Sequence, residues 1–263
     1  MKLFAVYLGL ALWISLGNLS GGCGAVAAEG AGDGNQQAAR VYGEWRIQIR
    51  PDKTGPYERL IETKGLPLFQ KAGGRMVGWW KTLIGDLYEH VTIWEYDNMA
   101  AFEQAVGKLG ADQQFAQFVA ERDPLLAGEQ SRFLRLVDFS AAPTLSEQAN
   151  IVVHEVHRVP LKHRDAYLKF IETQALALLR RHGFDPVGPW IVVVGNTSEI
   201  TYLFRYQSLR HRDDLIAAFA RHVDARKYHE TVDLLSEDVT TRVLVPAPFA
   251  KRPPQVKPPE AKP

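Results

Sequence analysis

The feature that most constrains this chain is an internal repeat. Ile61-Glu62-Thr63 recurs as Ile171-Glu172-Thr173, and the 110-residue displacement holds without a gap over a long window. At that spacing Tyr57 meets Tyr167, Leu66 meets Leu176, Gly73 meets Gly183, Val77 meets Val187 and Gly78 meets Gly188. Trp80 then meets Trp190, Gly85 meets Gly195 and Tyr96 meets Tyr206, while Ile93 and Trp94 meet Leu203 and Phe204. A gapless column set of this kind means two copies of one module. They are read as residues 40–140 and 150–249, joined by Ala141 to Ala149.

Each copy predicts strand, helix, strand, strand, helix, strand. Trp45, Ile47 and Ile49 alternate with Arg46 and Gln48, the period of a half-buried strand. A helix follows from about Thr54 to the Gly73-Gly74 stop, with Pro67 predicting a kink. Met76 to Thr82 and Tyr88 to Tyr96 read as strands joined around Gly85-Asp86, then Met99 to Leu109 and Gln113 to Glu121 as helices. Phe133, Val137 and Phe139 fall on a closing strand. This is the split βαββαβ, or ferredoxin-like, order. Helices cover one face of such a sheet and leave the other bare, so two copies are expected to pack sheet to sheet about a pseudo-twofold axis.

The ends read differently. Leu3 to Leu16 is an apolar run of signal-peptide length behind Lys2, so residues 1–28 are expected to be a signal peptide and the protein exported: periplasmic, secreted or membrane-anchored. Two processing routes stay open, a small-residue cut near Ala25-Val26-Ala27 and lipidation of Cys23, for which "LSGGC" is an imperfect signal. Residues 29–39 read as a flexible spacer and 250–263 as a proline-rich disordered tail. Cys23 is the only cysteine, which excludes disulfides and cysteine nucleophiles from a cleaved protein. Thirty-one basic against thirty acidic side chains give no field for nucleic acid, and the membrane is reached only through a lipid anchor.

The stretch from Lys64 to Asp97 resembles the NIPSNAP family. The likeness is carried by Gly78-Trp79-Trp80, Gly85-Asp86 and Trp94-Glu95-Tyr96, with Gly188, Trp190, Gly195, Phe204 and Tyr206 as the matches in a degenerate second copy. The resemblance implies a dimeric α/β barrel, here in tandem within one chain, from a superfamily that includes cofactor-free oxygenases and haem-degrading enzymes. The family's histidine two places before the strand tryptophan is absent: Thr92 stands there, and Tyr202 in the second copy.

Tyr88, His90, Thr92, Trp94 and Tyr96 share one strand face, as do Tyr202, Phe204 and Tyr206 in the second copy. An aromatic face with sparse polar groups suits a small apolar ligand or a packed sheet interface. The candidate ligand set is therefore Trp80, His90, Thr92, Trp94, Tyr96, Trp190, Tyr202 and Tyr206, with His90 as the candidate base if its face looks into the barrel. His154 and His157 should point to opposite sides of one strand, and His222 and His229 are too far apart for a joint metal site. No metal site is expected. Glu58, Glu62, Asp165 and Glu172 read as a solvated helix face. Two functions stay open: a non-catalytic module that binds a protein partner or a small apolar ligand without a cofactor, and a monooxygenase-like enzyme that binds haem or a small aromatic substrate.

Overall fold

The computed structural model describes residues 40–140, 143 and 149–251; the leader, Cys23, the spacer and the tail beyond Lys251 lie outside them. The first copy runs β1 (Val41–Ile49), α1 (Thr54–Leu60), α2 (Leu66–Ala72), β2 (Arg75–Ile84), β3 (Glu89–Tyr96), α3 (Met99–Gly110), α4 (Gln113–Arg122) and β4 (Leu126–Leu136). The second runs β5 (Ile151–Arg158), α5 (Arg164–Phe170), α6 (Leu176–Arg181), β6 (Pro186–Val194), β7 (Glu199–Tyr206), α7 (Leu209–Ala220), α8 (Val223–Leu235) and β8 (Asp238–Pro246). The sequence spacing persists in the structure: β3 and β7, and α3 and α7, are displaced by the same 110 residues, and Asn98 and Ser208 cap α3 and α7 through their side chains.

Each module forms a four-stranded antiparallel sheet, and the two close into one barrel in the order β1-β3-β2-β8-β5-β7-β6-β4. Closure is made by β2 on β8 and β4 on β6. These are the strands that would otherwise be sheet edges, so each module satisfies the other's unpaired backbone groups. The tandem α/β barrel expected from the sequence is the structure, with the bare faces sealed inside it.

Two local features explain repeated motifs. The Ile-Glu-Thr triplets open single turns of π-helix, Ile61–Gly65 and Ile171–Ala175, between the two halves of each long helix. Pro67 is not the cause, because the second copy bulges identically with Ala177 in that place. The common element is threonine: Thr63 and Thr173 each donate Oγ1 to the carbonyl four residues back, at 2.7 Å. The Gly-x-Trp motifs have a steric reason. A Cβ on Gly78 would lie 2.1 Å from the Trp80 ring, and one on Gly188 would lie 2.6 Å from Trp190, so each tryptophan folds back over the glycine two places earlier.

The apolar core has three layers. Outside the barrel, Ile47, Tyr57, Leu68, Trp79, Trp94 and Phe118 fill the space between the first sheet and its helices. Val153, Tyr167, Phe170, Tyr202, Phe204 and Phe219 do the same in the second module. Inside the barrel lie Tyr42, Trp80, Ile93, Leu134, Trp190 and Leu244. The modules also exchange segments: Ala247 and Phe249 pack into the first module's outer layer, and Phe139 packs against the second's. Val137 and Phe139 thus lie beyond β4, not on it as the sequence suggested, and Val137 N–H donates to Pro189 O just as Ala247 N–H donates to Trp79 O.

Candidate functional site

The alternation that grouped the strand aromatics is correct in parity and opposite in sense. His90, Trp94 and Tyr96 of β3, and Tyr202 and Tyr206 of β7, face the helices, while Val91, Ile93 and Leu203 face the barrel interior. His90 therefore does not look into the barrel. The eight candidate ligand residues fall into three compartments. Trp80 and Trp190 are interior; His90, Thr92, Trp94 and Tyr96 belong to the first sheet's buried surface; Tyr202 and Tyr206 belong to the second module's outer layer. Trp94 packs on Phe69 and Trp79, Tyr96 on Phe102, and Thr92 donates to Gly78 O at 3.0 Å.

Buried among the interior apolar side chains is a charged network that sequence reasoning missed. Arg132 on β4 donates Nε and one terminal nitrogen to the two oxygens of Glu44 on β1, at 3.0 and 2.9 Å, and the latter also to Thr201 at 2.9 Å. Its other terminal nitrogen bonds Glu199 on β7. Arg242 on β8 faces Glu89 on β3 at 3.1 Å and Asp86 at 3.3 Å. Arg132–Glu199 and Arg242–Glu89 cross between modules, and each is the other displaced by one repeat. His154, fully buried, lies 3.2 Å from Glu44 through Nε2. Burial alone would raise the Glu44 carboxyl, but Arg132 and His154 outweigh it and hold the group far below the usual carboxylate range. Glu89, by contrast, is raised, because burial exceeds the pull of Arg242. The readable signal was charge identity at the repeat spacing, Glu89 with Glu199 and Arg132 with Arg242, on strands that the alternation buries on both faces.

The first module's helix side holds a second polar set. Trp79 donates its indole N–H to Nδ1 of His90 at 3.1 Å, which places the imidazole proton on Nε2. That nitrogen is buried, has no hydrogen-bond partner and lies 3.6 Å from Glu58. The Tyr57 ring stands edge-on to His90 at 5.3 Å, and its hydroxyl is also buried without a partner. Glu58 pairs with Lys81 at 3.3 Å and its side chain is only 17% exposed, so this carboxylate is not on a solvated face. Burial, aided by Lys81, pushes His90 down to about 3, so the ring is neutral at ordinary pH. One repeat on, Glu58, Trp79, Lys81 and His90 become Leu168, Pro189, Ile191 and Ile200. The set belongs to the first module alone.

The remaining histidines divide as the strand and helix patterns implied. His154 is interior, while His157 pairs with Tyr167 on the helix side. His222 caps α8 and packs on His182 at 4.5 Å, and His229 is an exposed residue of the same helix.

The NIPSNAP family profile matches residues 42–141 and 156–251, one match per module. The chain is 25% identical to human protein NipSnap homolog 2 over 174 residues, which cover 65% of this chain and 59% of the human protein. It is 25% identical to the Danio rerio protein of the same name over 204 residues, 75% of this chain and 70% of that one. In three dimensions it is similar to a proposed monooxygenase from Fusobacterium nucleatum, with a TM-score of 0.58 and 12% identity over 80% of this chain and 93% of that one. A second proposed monooxygenase, from Lactobacillus acidophilus, gives 0.56 and 13% over 79% and 93%. At such identity these likenesses concern the fold alone.

Proposed function

We propose, from the premise that the chain belongs to the NIPSNAP family, that it is a non-catalytic binding module that takes, beside His90 of the first module, a small, largely apolar molecule bearing one hydrogen-bond acceptor. The observation that carries this reading is the His90 Nε2–H, buried, protonated by elimination and without a partner. An unmet donor in an aromatic surround costs about 1–3 kcal/mol, which a ligand acceptor recovers. Entry is over Lys81, whose side chain is 38% exposed and whose pairing with Glu58 contributes at most about 1 kcal/mol. The neutral imidazole acts as a donor, while Trp79 fixes its tautomer. Export through the leader belongs to the same proposal and is checked by the N-terminus and mass of the protein recovered from its producing cell.

The test is native mass spectrometry of protein from that cell, beside the His90→Phe and Trp190→Phe variants. A stoichiometric adduct lost only in His90→Phe supports the His90 site; one kept by His90→Phe and lost in Trp190→Phe refutes it. The names of the structural neighbours suggest a second reading, oxygenase chemistry on the bound molecule. It is tested separately by oxygen consumption with the recovered ligand.

A further inference from the structure

The second module surrounds the twin of Tyr57 differently. Tyr202 donates its hydroxyl to the Tyr167 oxygen at 3.2 Å, which leaves the Tyr167 hydrogen for Nδ1 of His157, 2.8 Å away. Since Nδ1 accepts, the imidazole proton is on Nε2, 3.3 Å from Oε2 of Glu155. The bonds run one way, phenol to phenol to imidazole to carboxylate, and end on a Glu155 side chain that is 25% exposed. The first module has none of these partners: Trp45, Ile47 and Thr92 stand at the positions of Glu155, His157 and Tyr202, and the Tyr57 hydroxyl is unpartnered. One chain thus carries two fully buried tyrosines in equivalent places, one with a proton acceptor in contact and one without.

Tyr167 has no exposed surface, so no substrate molecule reaches it. An electron can still leave through packed protein, provided the phenolic proton leaves with it. Removing the electron alone would strand a cationic radical in apolar surroundings, at large desolvation cost. Ionising first is also closed, because burial raises the phenol well above its ordinary value. Transfer along the bond to His157 avoids both routes, and the Glu155 carboxylate faces the imidazolium that forms.

We propose that Tyr167 is a redox-active tyrosine. A one-electron oxidant, a high-potential metal complex or an organic radical, takes one electron; the O–H proton moves to Nδ1 of His157; the products are a neutral phenoxyl radical, an imidazolium and the reduced oxidant. Return of the electron from a one-electron donor sends the proton back.

Photogenerated ruthenium(III) tris-bipyridine, with rapid freezing and electron paramagnetic resonance, tests this on the full chain. The background is Tyr7→Phe/Tyr88→Phe, which removes the tyrosine outside the described residues and the 46% exposed one. The expected result is a neutral tyrosyl signal that survives Tyr57→Phe, disappears in Tyr167→Phe and in His157→Phe, and forms more slowly in D2O. A signal that persists in Tyr167→Phe, or that is lost in Tyr57→Phe, overturns the assignment. Should the Tyr167 or His157 variants not fold, the isotope effect decides: a formation rate unchanged by D2O in the background protein is equally fatal.

Discussion

Removing Arg132 separates two readings of the barrel interior, a sealed charged network and a hydrated one. The side chain is 6% exposed and holds a Glu44 carboxylate with no exposed surface, together with Thr201 and Glu199. In Arg132→Met, Glu44 keeps only His154 at 3.2 Å and Arg46 at 3.9 Å. Stranding one partner of a buried pair costs about 3–5 kcal/mol, a large part of the roughly 5–15 kcal/mol that stabilises a domain. Its repeat equivalent supplies the control. Arg242 is as buried, but of its partners Asp86 is 65% exposed and can return to water, and the buried Glu89 is already raised towards its neutral form, so Arg242→Met should cost about half as much. Urea unfolding at neutral pH measures both, provided the slope is unchanged. A cycle with Glu44→Gln should show a coupling of more than about 1 kcal/mol between Glu44 and Arg132. Equal losses in the two arginine variants, or a loss below about 1 kcal/mol for Arg132→Met, would refute the sealed network.

Three further outcomes are expected. Glu44 is depressed in the folded state, so its contribution is present above the ordinary carboxylate value and lost as pH falls from about 5 towards 2; acid unfolding of Glu44→Gln should be flatter over that window. His90, held down to about 3, acts in a higher window: stability is full above the ordinary imidazole value near 6.5 and falls as pH drops towards 3, a slope that His90→Phe should remove. Trp94→Ala, at a 3% exposed residue packed on Phe69 and Trp79, should cost about 3–5 kcal/mol in chemical denaturation, and a much smaller loss would show that the outer layer collapses onto the gap.

What the sequence made legible was connectivity. The repeat spacing holds because closure of β2 on β8 and β4 on β6 ties strand lengths in one copy to those in the other, so an insertion would break register at two seams. What it left undecided was the sense of each strand. Alternation groups Glu89 with Ile93 and His90 with Trp94, but both faces of these strands are buried, one by helices and one by the opposite sheet. Equating charge with solvent then fails twice. Glu89 and Arg132 point inward because each has a partner across a seam between the modules, and Glu58 is drawn under Lys81 beside His90.

Fusion of the modules has a consequence visible at the axis. Glu44 and His154 are equivalent positions, one repeat apart, yet they touch at 3.2 Å, so the pseudo-twofold axis passes between them. In a dimer of identical modules a residue there meets its own copy, and two buried glutamates or two imidazolium ions would repel. A single chain is free of that condition and has placed an acceptor against a donor. The same freedom shows away from the axis. Cross-strand neighbours Ile47 and His90 in the first module become His157 and Ile200 in the second, so the histidine has changed strands around an unchanged tyrosine. At the β2–β3 start, Arg75–Glu95 is answered by Asp185–Arg205 with the charges exchanged. The second copy is thus more than a decayed first: it keeps the contacts that close the barrel and rebuilds the polar groups that closure does not fix.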